Sequence, residues 1–275
     1  MSRTSRLISV LAAPTSPSLS TSDPQAPAVA VLPVTAAAAA RAEAIAERLG
    51  VACLDPEQAD APDELLLVRV DNRIELRPPC SWGLPDFHID YLSGALGHRL
   101  RQGVHAAPML ARACGVRGRS CPHILDLTAG LGRDGMLLAS LGCQVTLVER
   151  QPLVGLLLED ALLRAAQALP WVRERVELIV TDALESSDLP VCEVAYLDPM
   201  FPARDKTAQV KKEMQLFHRL VGRDSDSDRL LERARGLAHQ RIVVKRPRKA
   251  PFLANRPPSG SITGKTTRYD IYPVT

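Results

Sequence analysis

The sequence predicts an α/β protein: a doubly wound parallel sheet preceded by a small α+β unit. Three observations lead there. Between His123 and Pro247, short apolar segments alternate with longer helical ones. The first of these segments runs directly into Gly130-Leu131-Gly132-Arg133-Asp134-Gly135, a glycine-rich turn that opens a helix. An earlier block, residues 27–85, carries its own strand, helix and hairpin signals. Alternating strands and helices give a parallel sheet because each crossover helix returns the chain to the same end of the sheet.

In order along the chain, residues 1–26 (MSRTSRLISVLAAPTSPSLSTSDPQA) are rich in Ser, Thr, Pro and Ala and too polar to pack a core. A disordered tail is expected there. RLISVLAA faintly resembles an export signal, but it is short, and the unpaired cysteines and basic C-terminal part speak against export. AVAVLPV (28–34) reads as a strand and AAAAARAEAIAERLG (36–50) as a helix closed by Gly50. ELLLVRVD and RIELRPP, joined at Asp71-Asn72, read as a hairpin that completes the small unit near Pro85.

The larger unit, 86–275, begins with DFHIDYLSGALGHRLRQG and a helix from about Ala106 to Cys114. HILDLT is then a strand, GRDGMLLASLG a helix ending at Gly142, QVTLVE a strand and LVGLLLEDALLRAAQAL a helix. VELIV, VAYLDP, RIVVKRP and TRYDIYPV supply the remaining strands. No internal repeat is present.

Composition narrows the function classes. No apolar run approaches the roughly 20 residues that span a bilayer. The six cysteines (53, 80, 114, 121, 143 and 192) include no C-x-x-C pair and lie near no histidine cluster. That disfavours a zinc site or a disulfide scaffold, fits a reducing cytoplasm, and makes most of these thiols small core residues. The net charge of +3 hides an asymmetry: residues 199–275 hold 17 Lys and Arg against 7 Asp and Glu, a net +10. A basic C-terminal part on an otherwise acidic chain points to a polyanionic partner, with nucleic acid first.

The glycine turn by itself leaves the cofactor open. Small residues let backbone approach a ligand, and a helix N-terminus favours negative charge. Glu149, 19 residues after Gly130, is placed to accept bonds from ribose hydroxyls. Dinucleotide enzymes and S-adenosylmethionine enzymes both use such an acid, so an NAD-dependent oxidoreductase is the alternative. Two details favour S-adenosylmethionine. Asp126, just before the turn, suits an ammonium or sulfonium and would repel a pyrophosphate. Thr181-Asp182-Ala183 follows the third strand, where an acid can meet the adenine amine. With a dinucleotide set aside, the match at Gly135 is read as incidental.

The strongest detail is Tyr196-Leu197-Asp198-Pro199-Met200-Phe201-Pro202, which has the form of the [D/N]-P-P-[F/Y/W] motif of enzymes that methylate exocyclic amines. Such an amine is a poor nucleophile because its lone pair is delocalised into the ring. A carboxylate at Asp198 and a carbonyl at Pro199, each accepting one N–H, localise that lone pair toward a methyl donor. Proline preorganises the turn. The ring of Phe201 offers a face on which the base stacks.

These residues resemble the bacterial small-subunit ribosomal RNA methyltransferase J family. The matching segments are DFHIDYLSGALGHRLR, DLTAGLGRDGMLLASLGCQVTLVERQPLV, YLDPMFPARDKTAQVKKEMQLFHRLVG, RIVVKRP and RYDIY, which together span most of the chain from Asp86 to Tyr272. The resemblance implies a Rossmann-like class I S-adenosylmethionine-dependent methyltransferase fold and formation of N2-methylguanosine in 16S ribosomal RNA. It also implies cofactor contacts at Arg133-Asp134, Glu149-Arg150, Asp182-Ala183 and Asp198, beside the turn at Asp126, Gly130 and Gly132. At 182–183 the family carries small hydroxyl residues, so this chain departs from it there.

Lys206, Lys211, Lys212, Lys245, Arg246, Arg248 and Lys249 cluster in sequence around or after the Asp-Pro-Met-Phe loop and are the expected phosphate contacts to RNA. Trp82 and Trp171 read as packing residues, and His98 as an ordinary hydrogen-bonded histidine with an RNA contact as the alternative. No metal is expected, and a cytoplasmic monomer is. A non-catalytic RNA-binding protein with a degenerate fold is disfavoured by the intact glycine turn, Glu149 and Asp198.

Overall fold

In the computed structural model the described residues are 27–56, 64–102, 108–118, 120–200, 212–221 and 226–274. The expected tail, Phe201, Lys206 and Lys211 therefore lie outside the described residues.

The N-terminal block follows its periodicities. VAVLP forms strand β1 (Val29–Pro33). After a 3-10 turn at Ala36–Ala38, α1 (Ala39–Leu49) buries Ala42, Ile45, Ala46 and Leu49, one stripe of a 3.6-residue period, and stops at Gly50. β2 (Ala52–Cys53), β3 (Leu66–Val70) and β4 (Ile74–Arg77) complete a sheet of order β2-β1-β3-β4. β1 is parallel to β2 and β3, and β3 and β4 form the antiparallel hairpin turned at Asp71-Asn72.

Helices α2 (Gly94–Gln102) and α3 (Pro108–Ala113) lead into the second sheet. There β5 (Ile124–Asp126), α4 (Arg133–Ser140), β6 (Val145–Glu149), α5 (Pro152–Ala168), α6 (Trp171–Arg175) and β7 (Val176–Val180) form one half. β8 (Cys192–Leu197), α7 (Lys212–Val221), α8 (Ser227–Leu237), β9 (Ala238–Pro247), β10 (Gly260–Thr263) and β11 (Thr267–Pro273) form the other. The strand order is β10-β11-β9-β8-β5-β6-β7.

Five neighbouring strands are parallel, as the alternation requires, but the sheet is not parallel throughout. β11 runs antiparallel to β9, and β10 antiparallel to β11. Only residues 264–266 separate β10 from β11, too few for the crossover a parallel pair needs. β10 escaped the sequence reading because GSIT has no apolar alternation and lies exposed at the sheet edge.

Helices cover both faces. On one, α8 packs Leu230, Leu231 and Ala234 against Leu125, Leu197 and Ile242. On the other, α4 and α5 cover Ile124, Leu147 and Leu178, and the same apolar cluster continues into Val31, Ala42 and Leu66 of the small sheet. The N-terminal unit thus shares a core with α5. Asp160 of α5, buried to 3 %, ties the seam by accepting from Arg41 Nη2 of α1 and from Arg164 Nε, both at 2.8 Å. Cys114, Cys143 and Cys192 are core residues, whereas Cys53 and Cys80 are exposed. Among the described residues no helix is long and apolar enough to cross a membrane.

The chain winds from β5 outward to β7, then returns to place β8 on the other side of β5. Strand order reverses there, and a crevice opens at the carboxyl ends of β5 and β8.

Candidate cofactor and active site

The crevice is built from the turn upward. β5 ends at Asp126, and its buried carboxylate accepts the Thr128 N–H at 3.1 Å, fixing the first step of the loop. Glu149, at the end of β6, accepts the Gly130 N–H on Oε2 at 2.9 Å and the Gln151 N–H on Oε1 at 2.8 Å. The acid expected at the ribose edge therefore also sets the loop's shape. Gly132, the residue before α4, has φ of 65°, and a Cβ there would lie 2.4 Å from the Tyr91 hydroxyl. That hydroxyl donates to Leu131 O at 2.9 Å, so the segment before α2 clamps the turn.

Gly135 corrects the sequence reading. A Cβ on it would meet Leu147 Cδ2 at 2.4 Å. The third glycine is thus not incidental: it lets α4 press onto β6, whatever the cofactor.

Three carboxylates converge below the turn. Asp134 Oδ2 accepts from the Tyr196 hydroxyl at 2.6 Å and from Lys245 Nζ at 2.7 Å. Lys245 Nζ donates also to Asp198 Oδ2 at 2.8 Å. The Asp198 N–H donates to Thr128 Oγ1 at 2.6 Å, which ties the Asp-Pro-Met turn to the glycine loop. Burial pushes the Asp126 carboxyl up to about 8, and the nearby Asp134 and Asp198 charges add to this against the opposing Thr128 N–H and Lys245. Asp198 is also raised, by burial first and then by Asp134, with Lys245 opposing. Burial works against the Lys245 ammonium, but the Asp198 and Asp134 charges outweigh it and hold its proton more tightly than usual.

This cluster lines a cleft of about 800 Å³ that reaches Arg133, Pro199 and Met200. A narrower pocket of about 50 Å³ adjoins it, sharing Thr128, Gly130, Asp198 and Met200, and holds Glu149, Asp182 and Ala183 at its far side. Asp182 Oδ1 accepts the Leu184 N–H at 2.8 Å, which forms the turn after β7. Arg150 also lines this pocket, with Nη1 on the Asp226 carboxylate at 2.9 Å, an ion pair from the end of β6 to the start of α8. Its role includes joining these elements.

The family model described as "Putative SAM-dependent methyltransferase" matches residues 48–274. A ribosomal RNA small subunit methyltransferase J of Pseudomonas aeruginosa (strain LESB58) is 44% identical over 256 residues, covering 91% of this chain and 97% of that protein. The chain belongs to the methyltransferase J family. Its namesake from Nitrosococcus oceani is 45% identical over 239 residues, covering 84% of this chain and 92% of that one. A solved SAM-dependent methyltransferase from Neisseria gonorrhoeae is 31% identical with a TM-score of 0.68, covering 89% of this chain and 96% of that one. The cofactor of the methyltransferase is S-adenosylmethionine, and the NAD-dependent alternative is set aside by the match of the family model over most of the chain.

The methyltransferase brings Asp126, Gly130, Gly132, Arg133, Asp134 and Asp198 together, with Glu149, Arg150, Asp182 and Ala183 along the adjoining pocket. Two of the expected phosphate contacts sit elsewhere. Lys245 points into the cleft because β9 pairs beside β8, and two carboxylates hold it there. Arg246, on the opposite face of the same strand, is buried to 5 % and donates to Pro251 O. Lys212, Arg248 and Lys249 are exposed. Sequence reasoning missed Thr128, Tyr91, Tyr196 and Phe217, whose ring lies 3.3 Å from where a Gly130 Cβ would be. Thr128 alone carried a signal, as the polar residue inside D-L-T-A-G.

Proposed function

We propose that the chain methylates the exocyclic N2 of a guanosine in 16S ribosomal RNA, giving N2-methylguanosine. The observation that carries this reading is the union of the two motifs: the Asp198 N–H is bonded to Thr128 Oγ1, so the amine-recognition turn opens onto the glycine loop. The names of the methyltransferase J relatives support ribosomal RNA as the substrate class. The test is mass mapping of 16S RNA from cells with and without the gene. Loss of one N2-methylguanosine without the gene is expected; an unchanged modification pattern would overturn the reading.

The residues fit the cofactor. Three carboxylates, Asp126, Asp134 and Asp198, set against the one ammonium of Lys245 beside the glycine turn suit a ligand bearing positive charge. Asp126 is assigned to the cationic end, Glu149 to the ribose and Asp182-Ala183 to the adenine side, with Arg133 at the mouth. When bound, S-adenosylmethionine supplies a methyl group on a sulfonium, an electrophile that needs only in-line positioning. Asp198 and the Pro199 carbonyl accept the two N–H bonds of the guanine amine, and Phe201 stacks the base. The amine nitrogen would gain the methyl as the methyl–sulfur bond breaks to leave a neutral thioether, and the proton it loses would pass to solvent. We read the enzyme as a cytoplasmic monomer acting on 16S RNA or the small subunit.

The raised Asp126 carboxyl gives a pH test. At neutral pH it is mostly protonated without ligand, and a cationic ligand beside it favours the ionised form. Binding therefore releases a proton, and S-adenosylhomocysteine affinity rises as pH climbs toward 8. The limiting slope is about tenfold per unit. It flattens above pH ~8, where Asp126 is already ionised in the free protein and binding no longer releases its proton. Calorimetry at pH 6, 7 and 8 measures this. A flat affinity in the parent protein, or the same slope in Asp126→Asn, would remove Asp126 from that role.

A further inference from the structure

Beside the cleft lies a second hollow of about 270 Å³. Its floor is apolar, made by Met109 and Leu110 of α3 and Leu137 of α4. Its rim carries two exposed cations from different elements, Arg99 of α2 and Lys265 of the β10–β11 turn. The turn is firmly placed: Gly264 N–H donates to Thr267 O at 2.8 Å, and a Cβ on Gly264 would meet Met109 Cε at 2.8 Å. Lys265 therefore extends from a turn that packs beside the Met109 side chain.

The hollow is continuous with the cleft, since Arg99, Asp134 and Leu137 line both. Asp134 bonds Lys245, which bonds Asp198, so the hollow begins two polar contacts from the group assigned to the target amine. An apolar floor under a cationic rim matches one ligand chemistry well: a flat base bearing a phosphate. A small carboxylate would leave the floor unused, and Asp134 at the inner end repels an anion that goes deep.

We propose that this hollow holds the nucleotide next to the target guanosine, its base on Met109 and its phosphate between Arg99 and Lys265. The inference rests on the RNA reading above and adds a substrate subsite to it. Base contact with an apolar surface tolerates sequence, while the phosphate contact sets register on the strand.

The test is steady-state methylation of 16S RNA by the full chain and its Arg99→Ala/Lys265→Ala variant across a salt series, with calorimetry of S-adenosylhomocysteine. The variant is expected to raise KM for RNA about tenfold near 0.15 M salt, with kcat and cofactor affinity unchanged. The slope of log KM against log salt should fall by roughly 0.7 to 1, the value for one lost phosphate contact. Met109→Ala should raise KM without changing that slope, because a base contact carries no charge. An unchanged KM and slope in the double variant overturns the subsite while the parent's activity upholds the RNA reading. Weakened S-adenosylhomocysteine binding overturns it differently, by assigning the hollow to the cofactor. If the parent itself fails to methylate RNA, the functional reading falls and the subsite falls with it.

Discussion

Replacing Asp198 by alanine is expected to lower kcat for methyl transfer to RNA by at least about a hundredfold, the scale seen when one preorganised polar group at a reacting centre is removed. The fold should survive, because the bond that fixes the Asp198 turn comes from the residue's backbone N–H and Lys245 keeps Asp134 as a partner. Cofactor affinity should change far less than kcat: Asp126, Glu149 and the glycine turn remain. Asp198→Asn separates charge from geometry, since an amide oxygen still accepts an N–H bond, and should retain more activity than the alanine variant. Methyl incorporation into 16S RNA, read beside S-adenosylhomocysteine affinity and thermal midpoint, checks the set. Full transfer by Asp198→Ala would remove this residue from the reaction.

Lys245→Met should produce the second large effect, and one with a pH signature. Its ammonium lies 2.7 Å from Asp134 and 2.8 Å from Asp198. Without it, burial and mutual repulsion push the carboxyls of Asp198 and Asp126 further up. A protonated carboxyl accepts an N–H bond more weakly than a carboxylate, and Asp198 is then neutral over a wider range. The acid limb of the kcat profile should move up by about one unit or more, with a loss near pH 7 of about tenfold that recovers as pH rises. Lys245→Arg keeps the charge and should keep the limb close to its original position. A profile that falls uniformly at all pH values, with no shift of the limb, would mean Lys245 acts only in packing.

Both variants depend on an arrangement only partly legible in the sequence. The strands, the glycine turn, Glu149 and the Asp-Pro-Met-Phe segment are local patterns, set by residue period and turn chemistry over a few positions. They could be read in one dimension. Lys245 could not be placed that way. In RIVVKRP it looks like one more cation in a basic run, and only the pairing of β9 beside β8 turns it toward Asp198 while its neighbour Arg246 faces the opposite side. The strand period of two separates two adjacent basic residues into an active-site cation and a buried structural one.

The same division runs through the rest of the molecule. By itself the sequence determined the alternating α/β order, the methyl-donor cradle and the amine-recognition motif, because each is carried by neighbours along the chain. Tertiary structure decided which groups share a charge field. Asp126, Asp134, Asp198 and Lys245 come from four separate places in the chain, and the burial and repulsion that raise the Asp126 and Asp198 carboxyls exist only once β5 and β8 lie side by side. It also decided why Gly135 is glycine: the obstacle is Leu147, a residue on the next strand that the chain brings against α4 only on folding.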